Sequence, residues 1–293
     1  MSFRQRANDW RQLPTEVREL LLNALEARAR LDAIEKLSPV ELAARCGFEQ
    51  LDVWQRDLLD STERQIILLC SRQSGKSTLT ALTGLHQALY SPGSLVLVLA
   101  PSQRQSQETF RKIRDSYNAL SGVPEATQES SLKLELANGS RVMVLPGKEQ
   151  NVRGFSGVSL LIVDEAARVD DGLYQSIRPM LAVSGGRIIL LSTPFGSRGF
   201  FHKEWSEGDG WKRIKVIASE CPRISPDWLE KEKARIGSWW FSQEYECAFN
   251  DNVDQIFATA DINAAVSTEI EPLWPTTTRS LQDGSLNQQP ILL

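Results

Sequence analysis

The chain has 293 residues, 41% of them hydrophobic and 24% charged, the make-up of a globular protein with material for one large or two ordinary domains. Its 33 basic and 37 acidic residues leave a net charge of −4, which excludes a protein basic all over but not a local basic face for nucleic acid. Four scattered cysteines without a C-x-x-C pair and two histidines, His86 and His202, give a zinc site little to build on. The first ten residues lack an apolar core and no apolar run approaches bilayer length, so neither a signal peptide nor a membrane span is expected.

Residues 1–14 are polar and basic. Apolar residues at helical spacing predict a helix over Thr15–Leu37. Ser38, Pro39 and Glu41 form a capping-box start to a second helix that Cys46-Gly47 ends. Residues 1–47 therefore read as a helical arm: a lid, a docking arm or, preferably, simple packing against the core. Leu51–Leu59 carries Gln55 just ahead of an apolar strand, Ile66–Cys70. A loop, Ser71–Gly75, and a helix, Lys76–Tyr90, follow. After the break at Ser91-Pro92-Gly93, Leu95–Ala100 is an apolar run of the kind buried on both faces of a parallel sheet. Ser102–Leu120 reads as a polar helix with Arg104, Arg111, Lys112 and Arg114, either a phosphate-contacting or a solvated face.

Leu132–Leu145 alternates around Asn138-Gly139, a hairpin signature. A glycine- and charge-rich loop, Gly147–Gly157, precedes a strand at Ser159–Val163. Further elements are a helix at Gly172–Leu181, strands at Arg187–Leu191 and Trp211–Ala218, and helices at Pro226–Ile236 and Trp239–Phe249. Trp205, Trp211, Trp228, Trp239, Trp240, Phe241 and Tyr245 read as core rather than as base-stacking residues. Strands alternating with helices imply an α/β fold with a mostly parallel central sheet flanked by helices, which the two motifs described next narrow to the P-loop NTPase (RecA/ASCE-like) class. The expected boundaries are 1–47 for the arm, 48–258 for the P-loop domain that carries those motifs and 259–293 for a disordered linker or tail.

The chemistry concentrates in two motifs. Ser74-Gly75-Lys76-Ser77 ends a Walker A loop, although Cys70 stands where the general pattern has glycine. Ser71, Arg72, Gln73, Ser74, Gly75, Lys76, Ser77 and Thr78 would surround the phosphates, with Lys76 at the β/γ-phosphates and the Ser77 hydroxyl on Mg²⁺. Leu160–Asp164 with Glu165 is a Walker B segment, in which Asp164 would hold Mg²⁺ and Glu165 would orient and deprotonate the attacking water. Together they point to ATP or GTP hydrolysis. Arg72 sits where it can stabilise transition-state charge within the subunit, and Arg153 where it can act as an arginine finger on a neighbour. Ser192, Thr193 and Pro194 end the next strand, where hydroxyls can sense the γ-phosphate.

In order, the chain carries LDVWQRDLL, CSRQSGKST, VLVLAPSQRQSQ, NVRGFSG, LLIVDEAARV, LLSTPFG and FSQEYECAF. This set resembles the ATPase domain of tailed-bacteriophage terminase large subunits, the motors that pump DNA into procapsids. The loop with Cys70 is similar to that family's variant Walker A, which has Arg before Gln-x-Gly-Lys. The resemblance implies adenine contact by Gln55 and a Walker A role for Arg72. It also implies phosphate and magnesium contacts by Lys76 and Ser77, the Walker B pair Asp164 and Glu165, coupling by Ser192, Thr193 and Pro194, and action in trans by Arg153. It further implies ATP and Mg²⁺ as cofactors and double-stranded DNA, a portal protein and a small terminase subunit as partners. A homo-oligomeric ring in the host cytoplasm, with no membrane partner, completes it. Such proteins continue into a metal-dependent nuclease domain. The stretch after Phe249 is shorter than the roughly 50 residues of a small domain, so nuclease activity is not expected from this chain: the domain is truncated, split off or replaced by a separate nuclease. Two alternatives stand beside this: a superfamily 2 helicase-like ATPase, which Asp164-Glu165-Ala166-Ala167 and Gln55 also suit, and an ATP-binding assembly subunit without turnover.

Overall fold

The computed structural model describes residues 13–20, 22, 36–147, 152, 154–250 and 265. Arg153 and the expected tail, residues 259–293 apart from 265, lie outside the described residues, as does most of Thr15–Leu37, of which 15–20 and 22 are helical. One compact unit runs over Met1–Asn250.

An 8-stranded sheet forms its centre, in the order β3-β4-β5-β2-β6-β7-β1-β8. The strands are β1 (Gln65–Cys70), β2 (Leu95–Ala100), β3 (Ala126–Glu129), β4 (Lys133–Leu136), β5 (Arg141–Pro146), β6 (Leu160–Asp164), β7 (Arg187–Ser192) and β8 (Lys212–Val216). From β5 to β8 all neighbours pair in parallel, whereas β3–β4 and β4–β5 are antiparallel. The helices are α1 (Pro39–Arg45), α2 (Val53–Leu59), α3 (Lys76–Tyr90), α4 (Gln103–Asn118), α5 (Asp171–Ile177), α6 (Gly199–Ser206), α7 (Pro226–Ile236) and α8 (Ser238–Glu244).

Strand side chains alternate between faces, so an all-apolar strand feeds two cores. Ile66, Leu68, Val96, Val98, Leu160 and Ile162 pack with α3, α4 and α1 on one face, while Ile67, Leu69, Leu97, Leu99, Leu161 and Val163 pack with α5 and α6 on the other. The capping box predicted for α1 is formed: Ser38 N–H donates to Glu41 Oε2 at 2.7 Å and Glu41 N–H to Ser38 Oγ at 3.2 Å. Leu42 and Ala43 of this helix are buried in the α3 face, as the packing reading expects.

The hairpin forms and does more than turn. Buried Asn138 donates to the Ala88 and Leu89 carbonyls at 2.8 and 3.1 Å, stopping the C-terminal end of α3. Gly139 takes the left-handed conformation the turn needs (φ 80°). Two expectations change. The helix placed at Trp239–Phe249 ends at Glu244, because Cys247 turns left-handed (φ 57°) and the Asn250 amide donates to the Trp239 carbonyl at 2.7 Å. Trp228 and Trp240 are 45% and 51% exposed rather than core, while Trp211, Phe241 and Tyr245 are buried. In the sheet β1 and β6 are not neighbours: β7 lies between them, paired with both.

Candidate active site

Because β1, β7 and β6 run parallel, their carboxyl ends open on the same edge of the sheet, where ligands of open α/β sheets sit. There a cavity of about 450 Å³ is lined by residues 72–78, Gln105, Lys112, Glu165, Arg168 and Thr193. Insertion of β7 sets Ser192 and Thr193 between the phosphate loop and the acids.

The loop leaves β1 at Cys70, which is still in register with Val216 of β8 and fully buried. Position 70 has ordinary strand backbone, so glycine is not required there. The left-handed turns fall instead at Gln73 (φ 61°) and Gly75 (φ 90°). Position 75 needs glycine for its conformation, while a Cβ there would lie 3.3 Å from Gln55 Nε2 and displace that amide by only a few tenths of an ångström. Burial pushes the Cys70 thiol far above its ordinary pKa, making it an inert core residue rather than a nucleophile. The 15-residue α3 starts without a side-chain cap, and its first turn lines the cavity, so N–H groups and the positive helix end serve an anion.

Ser77 Oγ donates to Asp164 Oδ2 at 3.0 Å, and Lys76 Nζ lies 3.2 Å from Glu165 Oε1. Asp164 is buried at the end of β6. Burial, then the neighbouring Glu165 carboxylate, pushes its pKa up against the pull of Lys76 and Ser77. Glu165 itself has left-handed backbone (φ 51°), a strained conformation for a non-glycine residue. Ser192 Oγ donates to Glu165 Oε2 at 3.5 Å. Thr193 and Pro194 are buried, and Thr193 lines the cavity. Arg72 lines it too, but its Nε is paired with Glu244 Oε2 at the end of α8.

Gln55 does not reach this cavity. It is buried on the other side of Gly75, its Oε1 accepting from Asp52 N–H at 2.9 Å. A second cavity of about 420 Å³ opens there, lined by Phe48, Leu51, Gln55, Gly75, Thr78 and Arg223 among others. Arg223 closes its wall, donating to both Asp52 carboxylate oxygens at 3.0 and 2.7 Å and to the Ser74 carbonyl at 3.2 Å. The two cavities share Gly75 and Thr78 and so meet at the start of α3.

Gln105, Lys112, Arg168, Arg223 and Glu244 were not singled out for this site from sequence. Lys112 belongs to the helix read as DNA-contacting or solvated, yet it lines the phosphate-side cavity. Its neighbours Arg111 and Arg114 are engaged with Glu108 and with Asp115 and Glu129. For Arg168 the signal was a basic residue three positions after Glu165. Glu244 and Arg223 carried none.

The fold and this site define a P-loop NTPase. Residues 67–264 match the family "Terminase large subunit, T4likevirus-type, N-terminal", and the chain belongs to that family. The terminase large subunit of Escherichia phage T5 is 27% identical over 210 residues, covering 69% of this chain and 48% of that protein. The chain spans about half the length of the curated relatives it matches. The large terminase ATPase domain of Thermus phage P74-26 superposes with a TM-score of 0.60 at 20% identity, covering 73% of this chain and 99% of that one. The large terminase of a second thermophilic bacteriophage, solved in complex with ADP, gives 0.58 at 11% identity, over 68% of this chain and 54% of that one. Family membership argues against the helicase-like alternative. Among the described residues no helix is long and apolar enough to cross a membrane, and no group of three or more His, Cys, Asp or Glu is arranged for a metal ion.

Proposed function

We propose that this chain binds ATP with Mg²⁺ at the shared edge of β1, β7 and β6 and hydrolyses it as the ATPase of a DNA-packaging motor. The observation that carries the reading is a pair of contacts between the start of α3 and the end of β6: Lys76 with Glu165 at 3.2 Å and Ser77 with Asp164 at 3.0 Å. The backbone of residues 71–78 and the Lys76 ammonium take the phosphates. Ser77 and Asp164 fit Mg²⁺, because they offer two hard oxygen donors, one a buried carboxylate whose charge the fold otherwise disfavours. Bound there, the ion would neutralise phosphate charge. Glu165 orients the attacking water and accepts its proton. Gln55 reads the adenine edge from the second cavity. Arg72 steadies transition-state charge, and Ser192, Thr193 and Pro194 relay loss of the γ-phosphate.

The ADP complex of the thermophilic-phage large terminase supports the choice of ligand. Family membership supports the further reading that the motor translocates double-stranded DNA into a procapsid in the host cytoplasm, with a portal protein and small terminase subunit as partners. On the same reading the subunits form a ring in which Arg153 serves the neighbouring subunit.

The test is ATP turnover by the purified chain with and without double-stranded DNA. DNA-stimulated hydrolysis is expected. ATP binding without turnover favours the assembly-switch alternative, and strand separation favours the helicase one.

A further inference from the structure

The geometry points to Arg168 as a positioning residue for Glu165, one that holds the general-base carboxylate in place once nucleotide has drawn Lys76 away. This rests on the hydrolytic reading above. The local chain supplies the reach. Left-handed backbone at Glu165 feeds a 3₁₀ turn, Ala166–Arg168, whose Arg168 N–H donates to the Glu165 carbonyl at 2.9 Å, so the side chain returns over the residue it follows. The Arg168 guanidinium then stands 4.0 Å from Glu165 Oε2, 4.0 Å from Glu244 Oε1 and 4.3 Å above the Phe195 ring.

Those two carboxylate distances are too long for hydrogen bonds. Arg223, by contrast, makes a closed bidentate pair with Asp52. Arg168 is thus one cation between two acids and committed to neither. Glu165 faces Lys76 with one oxygen and Arg168 with the other. A triphosphate carries several charges and takes the Lys76 ammonium more strongly than one carboxylate does. Glu165 is then left with Arg168 and a long hydrogen bond from Ser192. Closing the Arg168 contact needs a movement of about 1 Å to reach hydrogen-bond distance. The stacked Phe195 follows directly on Ser192–Pro194, so the same arginine ties the base to the segment assigned to coupling.

The experiment measures steady-state hydrolysis and binding of a fluorescent ATP analogue by the full chain, unaltered and as Arg168→Ala, Arg168→Gln and Arg168→Lys. We expect kcat to fall about a hundredfold in the Ala and Gln variants, with KM and analogue affinity within about threefold, and Lys to regain about tenfold. If Arg168→Ala does not fold, Arg168→Gln, which keeps length and polarity, carries the same expectation. A loss confined to KM, an unchanged kcat, or equal losses in Lys and Gln overturns the role. An unaltered protein that binds the analogue without turnover removes the hydrolytic reading and this role with it. An active unaltered protein with an equally active Arg168→Gln removes this role alone.

Discussion

The two walls of the nucleotide site are built on opposite plans. On the Gln55 side the side-chain contacts are close: Asp52 N–H meets Gln55, the Asp52 carboxylate takes both arms of Arg223, and Arg223 also holds the Ser74 carbonyl. On the Glu165 side, beside the short Ser77–Asp164 and Lys76–Glu165 contacts, several are long or shared. Ser192 reaches Glu165 at 3.5 Å, Arg168 stands 4.0 Å from two acids, and the backbone is left-handed at Glu165. A satisfied wall is pre-organised to bind. A wall with spare charge and strained backbone gains its partners only when nucleotide arrives, and so suits groups that act on the transition state. Changes to the first wall should therefore move affinity, and changes to the second turnover.

The largest effects break the second wall. Glu165→Ala is expected to lower kcat by at least about 10³-fold while ATP still binds, read by turnover beside analogue affinity. Lys76→Ala should lose both, because it removes the phosphate contact as well. Asp164→Asn sharpens the comparison differently. Its folded pKa is raised by burial and by Glu165, so the fold favours the protonated form, and apo stability falls as pH rises above the ordinary carboxylate range near about 3.9. The neutral amide removes that cost. Mg²⁺-dependent turnover should vanish while the Mg²⁺-free chain gains about 1 kcal/mol in thermal or denaturant unfolding. A less stable apo variant would mean that Asp164 is held for structure rather than for a cation.

On the first wall Arg223→Ala leaves Asp52 without its guanidinium. Since the arginine side chain is 47% exposed, the expected cost is about 1 kcal/mol, a rise of about fivefold in KM for ATP with a much smaller change in kcat. A kcat loss as large as that in Glu165→Ala would end the division of labour between the walls.

Much of this was legible in sequence for local reasons. All-apolar runs such as LVLVLA and LLIVD can only be strands buried on both faces, Asn138-Gly139 fixes the hairpin, and Ser38 with Glu41 starts α1. What was hidden is long-range or conformational. β3 is exposed throughout, so it shows no alternation. Insertion of β7 between β1 and β6 is a matter of topology that no local pattern encodes. Glu244 reaches Arg72 across 172 positions, and Arg223 reaches Ser74 across 149. Arg168 faces Glu165 because a non-glycine residue turns left-handed, a choice that propensity argues against.

The smallest effect on turnover is expected beneath both walls, at the residue that breaks the Walker A pattern. Cys70→Gly restores the consensus residue, and if the loop's function needed glycine there, activity should rise. The backbone argues otherwise: Cys70 pairs with Val216 as an ordinary strand residue, and the left-handed turns lie at Gln73 and Gly75. Glycine would free the strand end, at about 0.5–1 kcal/mol, and forfeit a fully buried side chain, at about 1 kcal/mol more. Turnover at 25 °C should stay within about twofold, while Tm falls by about 4–8 °C for roughly 2 kcal/mol in a chain of this size. A faster enzyme with unchanged Tm would show that the cysteine restrains the loop, and would move the boundary between the walls from Gly75 back to the end of β1.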